Sequence, residues 1–170
     1  MFWVKTGQEE KAIEEIIKNF YGNVFYRNFL IETLFRKKGE VKVEIKYAFP
    51  GYIFISSKIS NDEFMAQSKK FLYKYKAIIK LLCYGNTNEA AMKDEERAVL
   101  DFLWQEEECL KSSVGYTKGD HIIVTNGPFA GRESVIKGID RHKRQAVVEV
   151  EFMGGIRRMT VGLEIVERLP

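Results

Sequence analysis

The stretch that decides the fold is KGDHIIVTNGPFAGRESVIKGID, residues 118–140. In it a short β-branched run is followed by Asn126-Gly127-Pro128 and, after Gly131, by a second apolar run. A tight reversal is expected there, because glycine accepts positive φ and proline fixes its own φ. Phe129 lies inside the reversal and can return one large ring onto the strands. The stretch therefore predicts two strands joined by a folded corner, with no residue in the corner suited to catalysis.

Short strands continue from this corner to residue 170. We predict strands over residues 121–125, 134–139, 145–152, 156–161 and 164–166, and no helical period returns among them. About 50 residues of short strands are typical of a small barrel. An all-β domain is therefore expected over 118–170. Residues 108–117, which are acidic and then small and polar, are interpreted as a linker.

Residues 1–107 have a different sequence pattern, which predicts strands and helices in alternation. The predicted strands are 2–4, 41–49, 52–56 and 78–84, and the predicted helices are about 9–20, 60–72 and one that begins near residue 93. Capping boxes at residues 6–9 and 60–63 start the first two helices. The alternation over 41–49 predicts one buried face, and Pro50-Gly51 predicts that 41–49 and 52–56 are antiparallel neighbours. An α/β domain followed by an all-β domain is the predicted layout.

The composition, with 45% hydrophobic and 30% charged residues, is that of a globular protein. No apolar run approaches the roughly 20 residues of a membrane helix, and residues 1–10 lack the pattern of a signal peptide. These features predict a cytoplasmic protein with no membrane partner. The formal net charge of +3 is small, so a nucleic acid would have to be bound by a local basic patch.

Residue patterns for catalysis or metal binding are not found in the sequence. Cys83 and Cys109 lack metal-ligand spacing and are interpreted as idle thiols in preference to a disulfide. His121 and His142 are interpreted as a strand residue and a turn residue, with no support for either as a general base. The sequence also has no glycine-rich phosphate loop and no nucleophile elbow. We therefore expect no enzyme activity, no metal site and no cofactor.

Two motifs carry a resemblance to a known family. The second half of the chain resembles the KOW motif in the C-terminal domain of NusG transcription factors, through Gly119-Asp120, residues 127–131, Val135, Ile139-Asp140 and residues 148–150. The first half is similar to the N-terminal NGN domain of that family, through Trp3-Val4, residues 7–9 and above all Phe49-Pro50-Gly51-Tyr52. The resemblance implies an α+β fold. It comprises an NGN domain (1–107) that is an α/β sandwich with an antiparallel sheet and flanking helices, a linker (108–117) and a small SH3-like β-barrel KOW domain (118–170).

The resemblance also implies an elongation factor whose NGN domain binds the clamp helices of RNA polymerase through an exposed aromatic hollow. The matching residues here are Trp3, Phe49, Pro50 and Tyr52. From the residues themselves, the Pro50-Gly51 bend limits how deeply the rings of Phe49 and Tyr52 can be buried, so we expect accessible rings. The alternative is that these aromatics belong to the core. We expect the protein to be a monomer.

One corner departs from the family pattern. NusG proteins usually carry Ile-Phe-Gly-Arg between the last barrel strands, and its ring meets ribosomal protein or the termination factor Rho. Here the corner is Phe152-Met153-Gly154-Gly155, so that Met153 stands where the ring would be. Phe152 and Met153 remain the candidate factor-binding residues, but the departure places ribosomal protein and Rho in doubt as partners.

Basic residues near the predicted strand ends form a candidate RNA site: Arg132, Lys137, Arg141, His142, Lys143, Arg144, Arg157 and Arg158. Arginine forks fit phosphate oxygens and guanine edges, and their planar groups stack on unpaired bases. The alternative is a solvated turn, since acidic neighbours weaken the field. With the departure above, the arginine-rich corner favours the LoaP subgroup, whose members are antiterminators associated with an RNA hairpin in the leader transcript. A housekeeping NusG protein, acting in pausing, termination and ribosome coupling, and a stand-alone KOW-type RNA-binding protein are the alternatives.

Overall fold

The computed structural model describes residues 1–105 and 107–169, and in the last strand it describes side chains as far as residue 167. Two compact units are present, each assembled from several chain segments. The first consists of Met1–Asn28, Phe49–Glu96 and Phe152–Gly155, and the second of Phe29–Ala48, Arg97–Glu151 and Ile156–Pro170. The expected boundaries 1–107, 108–117 and 118–170 stay a prediction. Glu106 and Pro170, which those boundaries include, lie outside the described residues.

The mixed secondary structure confirms the predicted α+β class. In chain order the elements are β1 (Phe2–Val4), α1 (Glu9–Asn19), β2 (Val24–Arg27), β3 (Leu30–Lys37), β4 (Glu40–Tyr47), β5 (Tyr52–Ser57), α2 (Asn61–Phe71), β6 (Ile78–Leu81), α3 (Asp94–Trp104), β7 (Cys109–Leu110), β8 (Ser113–Lys118), β9 (His121–Asn126), a short 3-10 helix (Glu133–Val135), β10 (Ile136–Asp140), β11 (Gln145–Phe152) and β12 (Gly155–Leu169). No described helix is long and apolar enough to span a membrane.

The core of the first unit is a cluster of phenylalanine rings beside a four-stranded sheet of order β2-β5-β1-β6. Phe20 of the α1 end stacks on Phe64 of α2 at 4.7 Å between centroids, and it meets the edge of Phe71 at 5.6 Å. Phe2 of β1 completes the cluster and is fully buried. Each buried ring contributes about 1.5–3 kcal/mol relative to exposure, so this cluster fixes both helices on the sheet.

The start of α1 differs from the predicted capping box. Gln8 is the residue at the N-cap position, and no side chain caps the helix. Glu9 instead turns inward, is 5% exposed and accepts a hydrogen bond from the backbone N–H of Gly51 at 2.8 Å. The acidic residue that suggested a cap therefore holds the Pro50-Gly51 bend.

The second unit contains two sheets. One has three strands in the order β4-β3-β7, and the other has five strands in the order β10-β11-β12-β8-β9. Trp104, at the end of α3, is 1% exposed and donates from Nε1 to the Leu30 carbonyl at 2.8 Å. The edge of its ring meets Phe29 at 4.9 Å between centroids. Burying both the ring and its polar N–H in this way joins α3 to β3.

The corner at residues 126–131 forms as predicted. Gly127 has φ +100, and a Cβ there would lie 2.7 Å from the Ser113 Cα atom, so only glycine fits. Phe129 is fully buried, and its N–H donates to the Ser113 hydroxyl at 3.3 Å. The predicted strands at 156–161 and 164–166 are one continuous strand, β12.

The predicted pairing of 41–49 with 52–56 is wrong. β4 pairs antiparallel with β3 through the turn Lys38-Gly39, and β5 pairs with β1 and β2. The turn residues have φ of +53 and +85, which suits a two-residue hairpin, and β3 was not predicted. The predicted buried face of this strand is also wrong, because residues 40–46 are all exposed. An alternation of apolar and polar residues does not show which face of a strand, if either, packs against another element.

The predicted linker contains regular secondary structure. All of β7 and most of β8 lie within 108–117. β7 pairs in parallel with β3, and β8 pairs antiparallel with β9 and in parallel with β12. β3 and β12 are distant in sequence from β7 and β8. The polar composition of 108–117 therefore gave no signal for strands.

Replacing Glu9 by alanine tests the buried carboxylate. The N–H of Gly51 would lose its acceptor while remaining buried, so we expect the free energy of unfolding to fall by about 1–3 kcal/mol. Urea unfolding measures the change. Glu10→Ala, at an exposed neighbouring position of the same helix, is the matched control and should change stability by less than about 0.5 kcal/mol. Equal losses in the two variants would contradict the role of Glu9.

Candidate functional site

The candidate site is built on the bend Phe49-Pro50-Gly51-Tyr52. The Tyr52 N–H donates to the Phe49 carbonyl at 3.1 Å, which closes the turn. Gly51 has φ +83, and a Cβ there would lie 3.1 Å from the Val4 carbonyl oxygen. That carbonyl lies close because the Val4 N–H donates to the Gly51 carbonyl at 2.8 Å. The bend is therefore fixed against β1 from one side and by Glu9 from the other.

Trp3 and Tyr52 form the accessible aromatic part of the site. They are directly opposite each other in the antiparallel pair of β1 and β5, so their side chains share one face of the sheet. Lys80 of β6 faces Trp3 from the other side, with its Nζ 5.6 Å from the ring. Trp3 is 40% exposed, and Tyr52 is half-buried. This face presents two amphipathic rings and one cation to solvent.

The expectation that the Phe49 ring is accessible is wrong. Phe49 is 4% exposed, and the Phe152 ring meets it edge to face at 4.9 Å between centroids. Phe152 also lies 5.6 Å from Phe54 and 6.5 Å from Tyr52, and it is fully buried. The Pro-Gly bend does limit how the local chain can cover Phe49. It does not restrain a ring that comes from more than 100 residues away in the sequence.

A second contact holds the turn that carries Phe152. The carboxylate of Glu96, in the first turn of α3, accepts from the Met153 N–H at 2.9 Å and from the Gly154 N–H at 3.3 Å. Met153 and Gly154 have φ of +50 and +66, so both N–H groups belong to a tight turn. The Tyr84 hydroxyl donates to the same carboxylate. The Glu96 carboxylate therefore accepts three hydrogen bonds, and two of them hold the turn of residues 152–155 over Phe49.

Electrostatics around Glu96 follow from these bonds. Partial burial alone would raise the pKa of Glu96, but hydrogen bonds from Tyr84, Met153 and Gly154 outweigh burial and lower the pKa below its ordinary value. Burial, followed by the bond to Glu96, raises the pKa of Tyr84 to about 12. Glu96 is thus a carboxylate and Tyr84 a neutral donor at neutral pH.

The predicted factor-binding residues are not at the surface. Phe152 is fully buried and Met153 is 8% exposed, because their turn is closed over the aromatic site. Their role in binding a further factor stays a prediction. Pro50, in contrast, is exposed at the tip of its bend.

The eight predicted RNA-binding residues do not come together in one cluster. Residues 141–144 form the turn before β11, whereas Arg158 reaches the Glu149 carboxylate, from Nε at 2.7 Å. Glu149 lies four residues along β11 from Gln145, which is roughly 13 Å at strand geometry. The structure therefore separates the turn from the pair Arg157 and Arg158.

Several of these cations have partners within the second unit. Arg132 donates to the Phe102 carbonyl at 2.9 Å and stacks on its ring at 3.5 Å, and Arg144 pairs with Glu164 at 2.8 Å. Lys137 donates to the Ser134 carbonyl at 3.1 Å. These contacts hold the three side chains against neighbouring residues and reduce the positive electrostatic field around them.

The turn contains three adjacent exposed residues of the set, Arg141, His142 and Lys143, and Lys137 and Arg158 are the other exposed members. Lys143 reaches Asp140 at 3.4 Å, and the Lys143 side chain remains 71% exposed. The hydrogen bond from the Lys143 N–H, with the ammonium, lowers the pKa of Asp140. The turn is therefore the part of the set in which exposed basic residues are adjacent in sequence.

Five residues that shape the site are absent from the predicted site residues: Glu9, Phe54, Lys80, Tyr84 and Glu96. Phe54 could have been found, because it is two residues from Tyr52 on the same strand face. Glu9 belongs to the predicted capping box, and no local signal shows that Glu9 or Glu96 accepts backbone N–H groups from remote turns. Cys83 and Cys109 are free thiols. Over residues 1–105 and 107–169, no three His, Cys, Asp or Glu side chains form a group that could hold a metal ion.

Glu96→Gln tests the turn contact through pH. A lowered pKa in the folded state means that Glu96 stabilises the fold above the ordinary carboxyl range, and that this stabilisation is lost as the pH falls through the folded pKa. We expect Glu96→Gln to lose about 1–3 kcal/mol at neutral pH and to show a weaker loss in acid than the wild type, measured by urea unfolding from neutral to acidic pH. Glu95→Gln, an exposed neighbour, is the control. Parallel pH profiles for wild type and Glu96→Gln would contradict the role of Glu96.

Comparison with known proteins agrees with this architecture. The family model described as "Transcription termination factor nusG" matches residues 1–101, and the model described as "KOW motif" matches residues 118–151. The transcription termination/antitermination protein NusG of Thermus thermophilus is 29% identical over 158 residues, covering 88% of this chain and 86% of that protein. The NusG protein of Rickettsia felis is 25% identical over 157 residues, covering 88% and 78%. Since the first model spans more than half of the chain, the protein belongs to the NusG family of transcription termination/antitermination factors.

Proposed function

We propose that this protein binds the clamp helices of RNA polymerase in the cytoplasm and promotes processive antitermination. The observation that carries the proposal is the shared face of Trp3, Tyr52 and Lys80 on the first sheet. Large amphipathic rings beside a cation are favoured anchors for an amphipathic helix that carries acidic side chains. The contact with the clamp helices itself rests on the family resemblance.

Phe49 and Pro50 belong to the same proposed surface, but in different ways. Pro50 is exposed, whereas Phe49 is covered by Phe152. A partner helix can reach Phe49 only after the turn of residues 152–155 has withdrawn. Exposing the Phe152 ring costs about 1.5–3 kcal/mol, and breaking the Glu96 bonds adds to that cost. Trp3, Pro50 and Tyr52 are therefore the residues that polymerase would meet first.

A second candidate function, recognition of a leader RNA hairpin, is supported by the turn Arg141-His142-Lys143. Three successive basic side chains on a two-strand turn can approach phosphates or an unpaired loop. RNA binding would place the factor on selected transcripts, as in the LoaP subgroup. Arg132, Lys137, Arg144, Arg157 and Arg158 are proposed to contribute less, because they have partners or lie away from the turn.

Alanine substitutions test the polymerase surface. We expect Trp3→Ala and Tyr52→Ala each to weaken binding to purified core RNA polymerase by at least about tenfold, since truncated aromatic anchors typically cost more than about 1 kcal/mol. Fluorescence anisotropy of labelled protein measures the dissociation constant. Tyr73→Ala is the matched control, because Tyr73 is 95% exposed and does not lie on this sheet face. Unchanged affinity in both site variants, with the fold retained, would refute the assigned surface.

Charge reversal tests the RNA surface. Arg141→Glu with Lys143→Glu should weaken binding of a leader hairpin and lower the slope of log affinity against log salt by roughly 1 for each phosphate that the variant no longer binds. The same reversal at Arg158, which is paired with Glu149, serves as the comparison and should have a smaller effect. The functional measurement is transcription in vitro through a terminator, with and without the leader RNA.

The outcomes of that experiment separate the alternatives. Readthrough that depends on the leader RNA supports the antiterminator. Equal activity on every template favours a housekeeping NusG role, and RNA binding without any effect on polymerase favours a stand-alone RNA-binding protein. Ribosomal protein or Rho could engage Phe152 and Met153 only after their turn has opened.

A further inference from the structure

The strand β4 is an unprotected sheet edge. It forms one side of the three-stranded sheet β4-β3-β7, and no strand among the described residues pairs with its outer side. Val43 and Ile45 are each 57% exposed, and Val41 is 40% exposed. Long edge strands with apolar side chains are templates for pairing with another strand, and proteins usually cover or interrupt them. This edge is eight residues long and contains no proline or bulge.

The hairpin geometry shows which backbone groups face outward. β3 and β4 are joined by two residues, and Lys37 and Glu40 are the closing pair. In a two-residue hairpin the closing pair exchanges both hydrogen bonds, and pairs alternate from there along the ladder. The N–H and C=O groups of Val41, Val43 and Ile45 therefore point away from β3. The apolar residues are thus the ones whose backbone is available to a new neighbour.

The sequence of this edge is complementary to itself. Residues 40–46 are Glu-Val-Lys-Val-Glu-Ile-Lys. In an antiparallel pairing centred on Val43, the apolar residues meet on one face and opposite charges meet on the other. The cross-strand pairs are Val43 with Val43, Val41 with Ile45, Lys42 with Glu44, and Glu40 with Lys46.

This register also satisfies the backbone. Val43 would exchange both hydrogen bonds with its counterpart, and Val41 would do so with Ile45, which are the residues whose groups face outward. A register shifted by two would oppose Lys42 to Lys42 or Glu44 to Glu44. Like charges directly opposite each other are destabilising, which disfavours both of these registers. Registers centred on Val41 or Ile45 also oppose unlike charges, but the register centred on Val43 pairs every residue from 40 to 46.

The charges on the other face are already within reach of one another. Lys46 pairs with Glu44 at 2.8 Å, and Lys42 lies 3.8 Å from Glu40, along the same strand. Charges that protect an edge from self-pairing would repeat one sign at mirrored positions. Here the mirrored positions carry opposite signs, so the charges favour a second copy.

We propose that β4 pairs antiparallel with β4 of a second copy of this chain, forming a two-fold dimer with a continuous six-stranded sheet. Such an isologous contact places the same strand on both sides of the symmetry axis. The proposal replaces the monomer expected from the sequence. It does not depend on polymerase or RNA binding, because β4 carries none of the residues assigned to them.

A charge swap on the full chain tests the proposal. Glu40→Lys places two lysines opposite each other at each end of the pairing, and Lys46→Glu places two glutamates there. Each single variant should dimerise about tenfold more weakly than the wild type in sedimentation equilibrium. An equimolar mixture of the two variants should regain wild-type affinity as a heterodimer, since at both ends of the pairing a lysine of one copy then meets a glutamate of the other.

A backbone variant checks the same pairing independently. Val43→Pro removes an outward N–H and leaves the ladder to β3 intact, so it should abolish the dimer while the monomer stays folded. Val43→Thr is the matched control and should still dimerise. A wild-type protein that is monomeric throughout the concentration series would overturn the proposal. So would a dimer that survives Val43→Pro or that is not rescued by mixing the charge variants.

Discussion

Burial of the Phe152 ring against Phe49, Tyr52 and Phe54 is the contact on which the candidate site depends. It brings a turn from late in the chain onto the bend that carries the predicted polymerase-binding residues. The stabilisation comes from burial of apolar surface and from edge-to-face ring contacts. As long as this contact persists, the accessible surface consists of Trp3, Pro50 and Tyr52, and Phe49 supports it from below.

Two carboxylates set the positions of the two turns. Glu9 accepts from Gly51, and Glu96 accepts from Met153 and Gly154. Backbone N–H groups in tight turns need acceptors when water is excluded, and a carboxylate forms stronger hydrogen bonds with them than a neutral group does. Both acids stand at the start of a helix, where the helix dipole also favours negative charge. A glutamate in the first turn of a helix thus fixes each half of the aromatic contact.

Intramolecular contacts decide which basic side chains of the predicted RNA set stay exposed in this mildly basic chain. Most arginines of the predicted RNA set have acceptors or a ring beside them, and these contacts lower their availability. The turn of residues 141–143 has Asp140 as the acidic neighbour on its flank, and it keeps its cations in solvent. On β4 the alternation of lysine and glutamate has another consequence, because it makes one strand complementary to its own copy.

The sequence by itself determined the α+β class, the three helices of the described residues, the folded corner at Gly127 and the two family motifs. These depend on periodicity, capping residues and glycine at positive φ, which act over a few residues. Only the tertiary structure decided that Phe49 is covered, that residues 108–117 contain strands, that 41–47 pairs with β3, and that the arginines are dispersed. Each of these depends on a partner far away in the sequence, and local patterns do not encode which distant ring, strand or carboxylate will fill a given contact.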